Sequence, residues 1–140
     1  MSAKFFLDTN IFIYSLGGTP AGKARRAAEL VREAIASRNG IISYQVVQEF
    51  FSVAFRRFAP PMTAVQAEQY LASVFHPMLA VQSSSALLAD ALRLYERHRL
   101  SWYDSLIIAA ALEAQCGVLY SEDMRHGQTF GDLRIENPFR

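Results

Sequence analysis

Four acidic residues of this chain each sit just after an apolar run, and at all but the last a helix starts or follows. They are Asp8 in Phe5-Phe6-Leu7-Asp8-Thr9-Asn10, Glu49 in Ser43-Tyr44-Gln45-Val46-Val47-Gln48-Glu49, Asp104 in Ser101-Trp102-Tyr103-Asp104, and Asp123 in Leu119-Tyr120-Ser121-Glu122-Asp123. If the apolar runs are parallel strands, these carboxylates gather along one edge of the sheet, where open α/β folds place their ligands. Carboxylates brought together repel, by about 4 kcal/mol per pair at roughly 4 Å and an effective dielectric near 20. A cluster kept at that cost points to an oxygen-liganded hard cation such as Mg²⁺ or Mn²⁺, and so to a metal-dependent enzyme.

The punctuation between the runs is helical. Lys4 to Leu7 reads as a buried strand, and Asp8-Thr9-Asn10 turns the chain into a short helix over Ile11 to Tyr14. Thr19-Pro20 offers a cap and a first-turn proline for a helix whose apolar residues run from Ala24 to Ile35, stopped by Asn39-Gly40. Ile41-Ile42 is a very short strand, and Ser43 caps a helix to Phe58, broken by Pro60-Pro61. Thr63 with Gln66 forms a capping box for a helix to about Phe75. Met78 to Val81 is a third strand, and Ser83-Ser84-Ser85 opens a helix to about His98. Ser101 caps an almost wholly apolar helix through Ala114, ended by Gly117, and Val118-Leu119-Tyr120 is a fourth strand. Leu133 to Ile135 is a fifth, at an edge. Strands separated by helices, with no hairpin signal, predict a single α/β domain over residues 1–140: an α/β/α sandwich around a mostly parallel sheet of four to five strands.

Composition narrows the setting. Half the residues are apolar, so the chain can bury a core and has no disordered linker. The longest apolar run, Leu106 to Leu112, is far too short to span a membrane. The opening Met-Ser-Ala-Lys lacks a signal-peptide layout, and the single cysteine, Cys116, excludes an internal disulfide. Both fit a cytoplasmic protein, with Cys116 as core. Twelve of the fourteen cations are arginine, suited to phosphate by the planar fork, although ordinary solvated helix faces explain them equally well.

Each acid has a plainer explanation beside the chemical one. Asp8 would be expensive to desolvate after Phe-Phe-Leu unless it leaves the strand at a ligand-binding edge, but it also suits an N-cap. Glu49 is surrounded in sequence by Val46, Val47, Phe50 and Phe51 and should border the core; an exposed acid near a helix start is the alternative. Asp104 completes a Ser101-x-x-Asp104 spacing that resembles a capping box. Near Asp123 the turn residues by themselves leave open whether Glu122 or Asp123 faces inward. His76, His98 and His126 have no zinc spacing and read as surface residues, His126 being at most a weak neighbour of Asp123.

With all four acids placed, the chain resembles the PIN-domain nucleases, and more closely the VapC-type toxins of bacterial toxin–antitoxin pairs. The likeness is carried by Phe6-Leu7-Asp8-Thr9-Asn10, Ser43 to Glu49, Ser101-Trp102-Tyr103-Asp104-Ser105-Leu106-Ile107 and Leu119 to Met124, in order across essentially the whole chain. The resemblance implies an endoribonuclease in which Asp8, Glu49, Asp104 and Asp123 are catalytic. Asp8, Asp104 and Asp123 would hold Mg²⁺ or Mn²⁺, and Glu49 would be a ligand or would orient the attacking water. Asn10 and Ser121 match assisting polar positions, with Glu122 a further candidate. At the last motif many relatives have Thr-x-Asp where this chain has Ser121-Glu122-Asp123, and the spacing favours Asp123. The implied partners are an RNA substrate, an antitoxin whose apolar helix fills a groove beside the Phe-rich helix, and a second copy of the chain. Two other classes compete. A haloacid-dehalogenase-like phosphohydrolase expects a second acid where Asn10 stands and a suitably placed lysine, whereas only Lys4 and Lys23 exist. A non-catalytic PIN-like binding module would have no need of four intact acids.

Overall fold

The computed structural model describes residues 2–17 and 19–140. Six strands form one sheet: β1 (Phe5–Leu7), β2 (Gly40–Ser43), β3 (Leu79–Val81), β4 (Val118–Tyr120), β5 (Thr129–Phe130) and β6 (Leu133–Glu136), in the spatial order β3-β2-β1-β4-β6-β5. All neighbours are parallel except β5 and β6. Every residue of β1 and β2 is buried, as expected of central strands covered on both faces.

The helices are α1 (Thr9–Ser15), α2 (Ala21–Ser37), α3 (Tyr44–Arg56), α4 (Ala64–Tyr70), α5 (His76–Met78), α6 (Ser85–His98) and α7 (Trp102–Glu113), with a wider π turn over Leu71–Phe75 joining α4 to α5. Helix α1 packs on α2 and α6 packs on α7, while α2 and α7 both contact β2. The α/β arrangement with a central, mostly parallel sheet is therefore the one the punctuation predicted.

Several local expectations shift. The sheet has six strands rather than four or five, and Leu133–Glu136 is not an edge: it lies between β4 and the two-residue β5. Two residues leave no alternation to read, and the turn joining β5 to β6 rests on Gly131 at φ +59°. Pro20 takes the cap position of α2 instead of its first turn, so Thr19 lies outside the helix and supplies no side-chain cap. That helix is ended by Arg38 in the left-handed region, with Gly40 already in β2. Gly40 is needed for close approach, because a Cβ there would lie 2.1 Å from the Ala34 Cβ. The Thr63–Gln66 capping box forms as read.

Helix α3 divides its rings between two environments. Phe50 is fully buried, stacked on Tyr70 at 5.0 Å and edge-on to Phe75, whereas Phe55 is 46% exposed and stacked on the half-buried Phe51. Rotation of about 100° per residue puts Phe51 and Phe55 on one face and turns Phe50 toward the core. The helix ends at Arg56, short of the expected Phe58, whose ring packs edge-on to Phe50. Phe50→Ala should therefore destabilise by about 3–5 kcal/mol, and Phe55→Ala should stay within about 0.5–1 kcal/mol. Urea unfolding of both variants checks this, and comparable losses would contradict the two-face reading.

Candidate metal centre and nuclease site

The strand order reverses direction at β1, which pairs with β2 on one side and β4 on the other. Such a switch point opens a crevice at the carboxyl ends of the strands. Asp8 leaves β1 there, anchored by its backbone N–H donating to the Tyr120 carbonyl at 3.1 Å, and Ser121 leaves β4 beside it. Asp8 is also the N-cap of α1, so the plainer role considered for it is present. Its Oδ1 accepts from the Thr9 backbone N–H at 2.8 Å and its Oδ2 from the buried Ser121 hydroxyl at 2.8 Å.

Glu49 is half-buried on α3, bordering the core as its neighbours implied. Its Oε1 accepts from the Thr9 hydroxyl at 3.2 Å and from Gln45 Nε2 at 3.1 Å. The same Gln45 amide reaches the Tyr103 carbonyl at 3.4 Å, tying α3 to the first turn of α7. Asp104 stands in that turn, its backbone N–H donating to the Ser101 hydroxyl at 3.1 Å as the capping spacing suggested. Asp123, on the exposed loop after β4, accepts from Asn10 Nδ2 at 3.0 Å.

Two of the four acids feel the fields of the others. Burial pushes the Asp8 carboxyl up to about 6; Ser121 and Thr9 oppose that, and the charges of Glu49 and Asp104 add to it. Burial also raises Asp104, opposed by the Ser101 hydroxyl and reinforced by Asp123. The fold thus brings Asp8, Glu49, Asp104 and Asp123 to one edge, with Asn10 and Ser121 beside them. Glu122 turns elsewhere, forming an ion pair with Lys23 and accepting from the Tyr14 hydroxyl. Burial works against its charge, but Lys23 and Tyr14 hold it below the ordinary carboxylate value. All three histidines are exposed, and His126 Nδ1 accepts from the Asn137 backbone N–H.

Sequence reading missed Gln45 and the pairing of Lys23 with Glu122. Gln45 had a readable signal, since it lies four residues before Glu49 on one helix face. The Lys23 pairing had none, because it joins elements about a hundred residues apart.

The partners of the acids differ in kind. Glu122, Glu29, Asp90 and Glu136 are ion-paired with Lys or Arg, whereas among the described residues no such cation pairs with Asp8, Glu49, Asp104 or Asp123. The donors to Asp8, Glu49 and Asp123 are neutral hydroxyls, amides and backbone N–H groups, which orient the charge without compensating it. Among the described residues no group of three or more His, Cys, Asp or Glu side chains stands close enough together to hold a metal ion as placed. Glu49 and Asp123 are drawn to Gln45 and Asn10, each keeping an oxygen free of protein hydrogen bonds.

An open α/β sheet carrying an acidic crevice at its switch point defines a class of ligand-binding folds, and the comparisons with known proteins narrow it. The family model for the PIN domain matches residues 5–129, and the chain belongs to that family. No curated protein matches it by sequence. Among solved structures it is similar to a toxin–antitoxin complex from Klebsiella pneumoniae, at 17% identity over 96% of this chain and 98% of that one, with a TM-score of 0.68. It is also similar to VapC20 of Mycobacterium tuberculosis, described as a sarcin–ricin-loop-cleaving toxin, at 18% identity, 86% and 90% coverage and a TM-score of 0.63. A third likeness is to FitAB bound to a DNA fragment, at 17% identity, 97% and 96% coverage and a TM-score of 0.69. These likenesses carry the fold.

The raised Asp8 carboxyl makes a pH prediction. Its ordinary value is 3.8 and its folded value about 6, so the folded state holds the proton more tightly than the unfolded chain does. Its stabilising effect is full below the lower value and is lost as pH rises through the upper one. Without divalent metal, the fold should lose on the order of 2–3 kcal/mol between these limits, at about 1.4 kcal/mol per unit. Asp8→Asn keeps the cap acceptor and should flatten this slope. Chemical denaturation in EDTA at a series of pH values tests it, and identical slopes for both proteins would refute the assignment.

Proposed function

We propose that the protein is a metal-dependent endoribonuclease and the toxin of a type II toxin–antitoxin pair. The observation that carries this reading is that four acids stand together at the switch point with no lysine or arginine among the described residues paired to any of them. Asp8, Glu49 and Asp123 accept only from hydroxyl, amide and backbone N–H groups. A hard divalent cation such as Mg²⁺ or Mn²⁺ fits this all-oxygen donor set. Asp8, Asp104 and Asp123 would hold it, with Glu49 as a further ligand or as the group that orients the attacking water. Bound there, the cation supplies charge that polarises the phosphoryl oxygen and stabilises the leaving oxygen of an RNA phosphodiester.

The chain's own residues do the positioning. Ser121 and the Thr9 backbone N–H keep Asp8 facing the crevice, and Asn10 steers Asp123 toward it. The Thr9 hydroxyl and the Gln45 amide share one oxygen of Glu49, leaving the other for water or cation. Arginines away from these acids are suited to hold flanking phosphates. The competing haloacid-dehalogenase-like reading is weakened because Asn10 is already engaged as a donor to Asp123 and both lysines are engaged elsewhere, Lys4 on the Ala114 carbonyl and Lys23 on Glu122.

The antitoxin reading draws on the exposed side of α3. Ile13, Leu16, Val53 and Phe58 line an open cleft of about 660 Å³ that reaches Asn10 at the acidic edge. An amphipathic helix laid in such a groove is a common mode of recognition, and from there a basic side chain could reach the acids. The same reading carries a homodimer and a cytoplasmic location. No helix among the described residues is long and apolar enough to cross a membrane.

Three measurements test this. Purified protein should cut RNA in Mg²⁺ or Mn²⁺ and stop in EDTA, and Asp8→Asn should abolish cleavage while staying folded. Mn²⁺ at a hundred times its dissociation constant should add about 2.7 kcal/mol of stability, so the melting temperature should rise by several degrees over EDTA. An unchanged melting temperature would argue strongly against a metal site. Val53→Asp, in the wall of that cleft, should lose binding to a cognate antitoxin yet keep the fold and the cleavage, with isothermal titration as the readout; retained binding would remove the cleft from the interface.

A further inference from the structure

The carboxylate chemistry makes no use of a cavity that lies next to it. Between the start of α3, the loop leaving β3 and the start of α7 is a space of about 150 Å³, walled by Tyr44, Gln48, Gln82, Ser83, Leu87 and Tyr103. A cavity of that volume takes a ring the size of benzene. Tyr44 and Tyr103 are 44% and 63% exposed, so their ring faces are available. Leu87, Leu88 and Leu106 make one side apolar, while Gln48, Gln82 and Ser83 bring amide and hydroxyl groups to the rim.

Ser43 also lines this space, and its hydroxyl is the one buried side-chain polar atom among the described residues without a hydrogen-bond partner. It stands at the N-cap of α3, where a serine ordinarily accepts from a backbone N–H, yet it makes no such bond. A buried hydroxyl left in that state is destabilising and calls for a reason.

We propose that the cavity receives the base of one unpaired pyrimidine nucleotide of the RNA, and thereby selects the bond that is cut. The proposal rests on the nuclease reading above. Proteins read single-stranded RNA by stacking a splayed base on aromatic rings and hydrogen-bonding its edge, and the wall offers both elements. The volume favours one ring over the fused pair of a purine. The orphaned Ser43 hydroxyl gains a partner when a base edge arrives. Position completes the argument: the Gln45 amide bonds Glu49 on one side and the Tyr103 carbonyl on the other, so the cavity and the acidic crevice are one side chain apart. A base in the cavity sets a phosphate of the same or the adjoining nucleotide at the acids.

The test has two arms. In the first, Asp8→Asn protein is irradiated with a short single-stranded RNA carrying one 4-thiouridine, and the attachment sites are mapped by mass spectrometry. In the second, wild type, Ser43→Ala and Gln48→Leu digest a randomised single-stranded RNA in Mn²⁺ and the fragment ends are sequenced. Crosslinks should fall on Tyr44 or Tyr103, and wild type should enrich pyrimidine about tenfold at one fixed position beside the cut. Each variant should lose most of that enrichment while its melting temperature holds, and for Ser43→Ala holds or rises, which a merely structural serine would not produce. Cleavage with no base preference, or crosslinks on other elements because a second copy covers Leu88 and Tyr103, overturns the base site and leaves the nuclease reading standing. Crosslinks on Tyr44 or Tyr103 with no RNA cut by wild type keep the base site and sink the nuclease reading.

Discussion

The desolvation of the Asp8 carboxylate is the constraint on which the rest of the site depends. The carboxylate follows a strand whose three residues are all buried and caps α1, and burial is the largest cause raising its proton affinity above the ordinary value. Two donors keep it oriented. One comes from the first residue of α1, and the other from β4, more than a hundred residues later. The second exists because β1 and β4 pair in parallel with Leu7 opposite Tyr120, which places Ser121 level with Asp8. The register of two central strands thus sets the geometry of a hydrogen bond at the crevice.

The other acids are handled with the same economy of charge. Glu49 receives a hydroxyl and an amide, Asp123 receives an amide, and Asp104 is held through its own backbone N–H donating to Ser101. The salt bridges of the described residues fall on acids outside the crevice. A neutral donor fixes a carboxylate's direction without cancelling its field, whereas a lysine would do both. Glu122 shows the contrast, because Lys23 and Tyr14 lower its proton affinity and absorb its charge one residue away from Asp123. Adjacent acids in one tripeptide are assigned different tasks by what the fold puts opposite them.

Helix α3 joins these two concerns. One face carries Phe50 into an aromatic cluster with Tyr70 and Phe75, which holds the helix against the π turn. A second face carries Glu49 and Gln45 to the crevice, and a third leaves Phe55 toward solvent. The core-facing ring makes the acid's position rigid, so the catalytic and partner-binding readings draw on different faces of one anchored element.

Local physics was legible in the chain alone. Short apolar runs alternating with helical periodicity gave the mostly parallel sheet, the Thr63–Gln66 spacing gave a capping box, and acids following the runs gave the candidates at the crevice, because strand ends, caps and periodicity are decided by residues close in sequence. Asp8 was legible as an expensive charge, with the cap that the structure shows weighed as its alternative, and the rotation of Phe50 away from Phe51 followed from helix geometry. What remained needed contacts between distant segments. The two-residue β5 exists only because β6 is there to pair with it. Gly40 is explained only by Ala34 packed against it, and the orphaned Ser43 hydroxyl only by the absence of a partner across the β2–α3 corner. The division between Glu122 and Asp123 was open in sequence because both are turn acids one position apart. Lys23 from α2 pairs with Glu122 and Asn10 from α1 donates to Asp123, since the direction of a carboxylate is set by the donors that tertiary packing delivers to it.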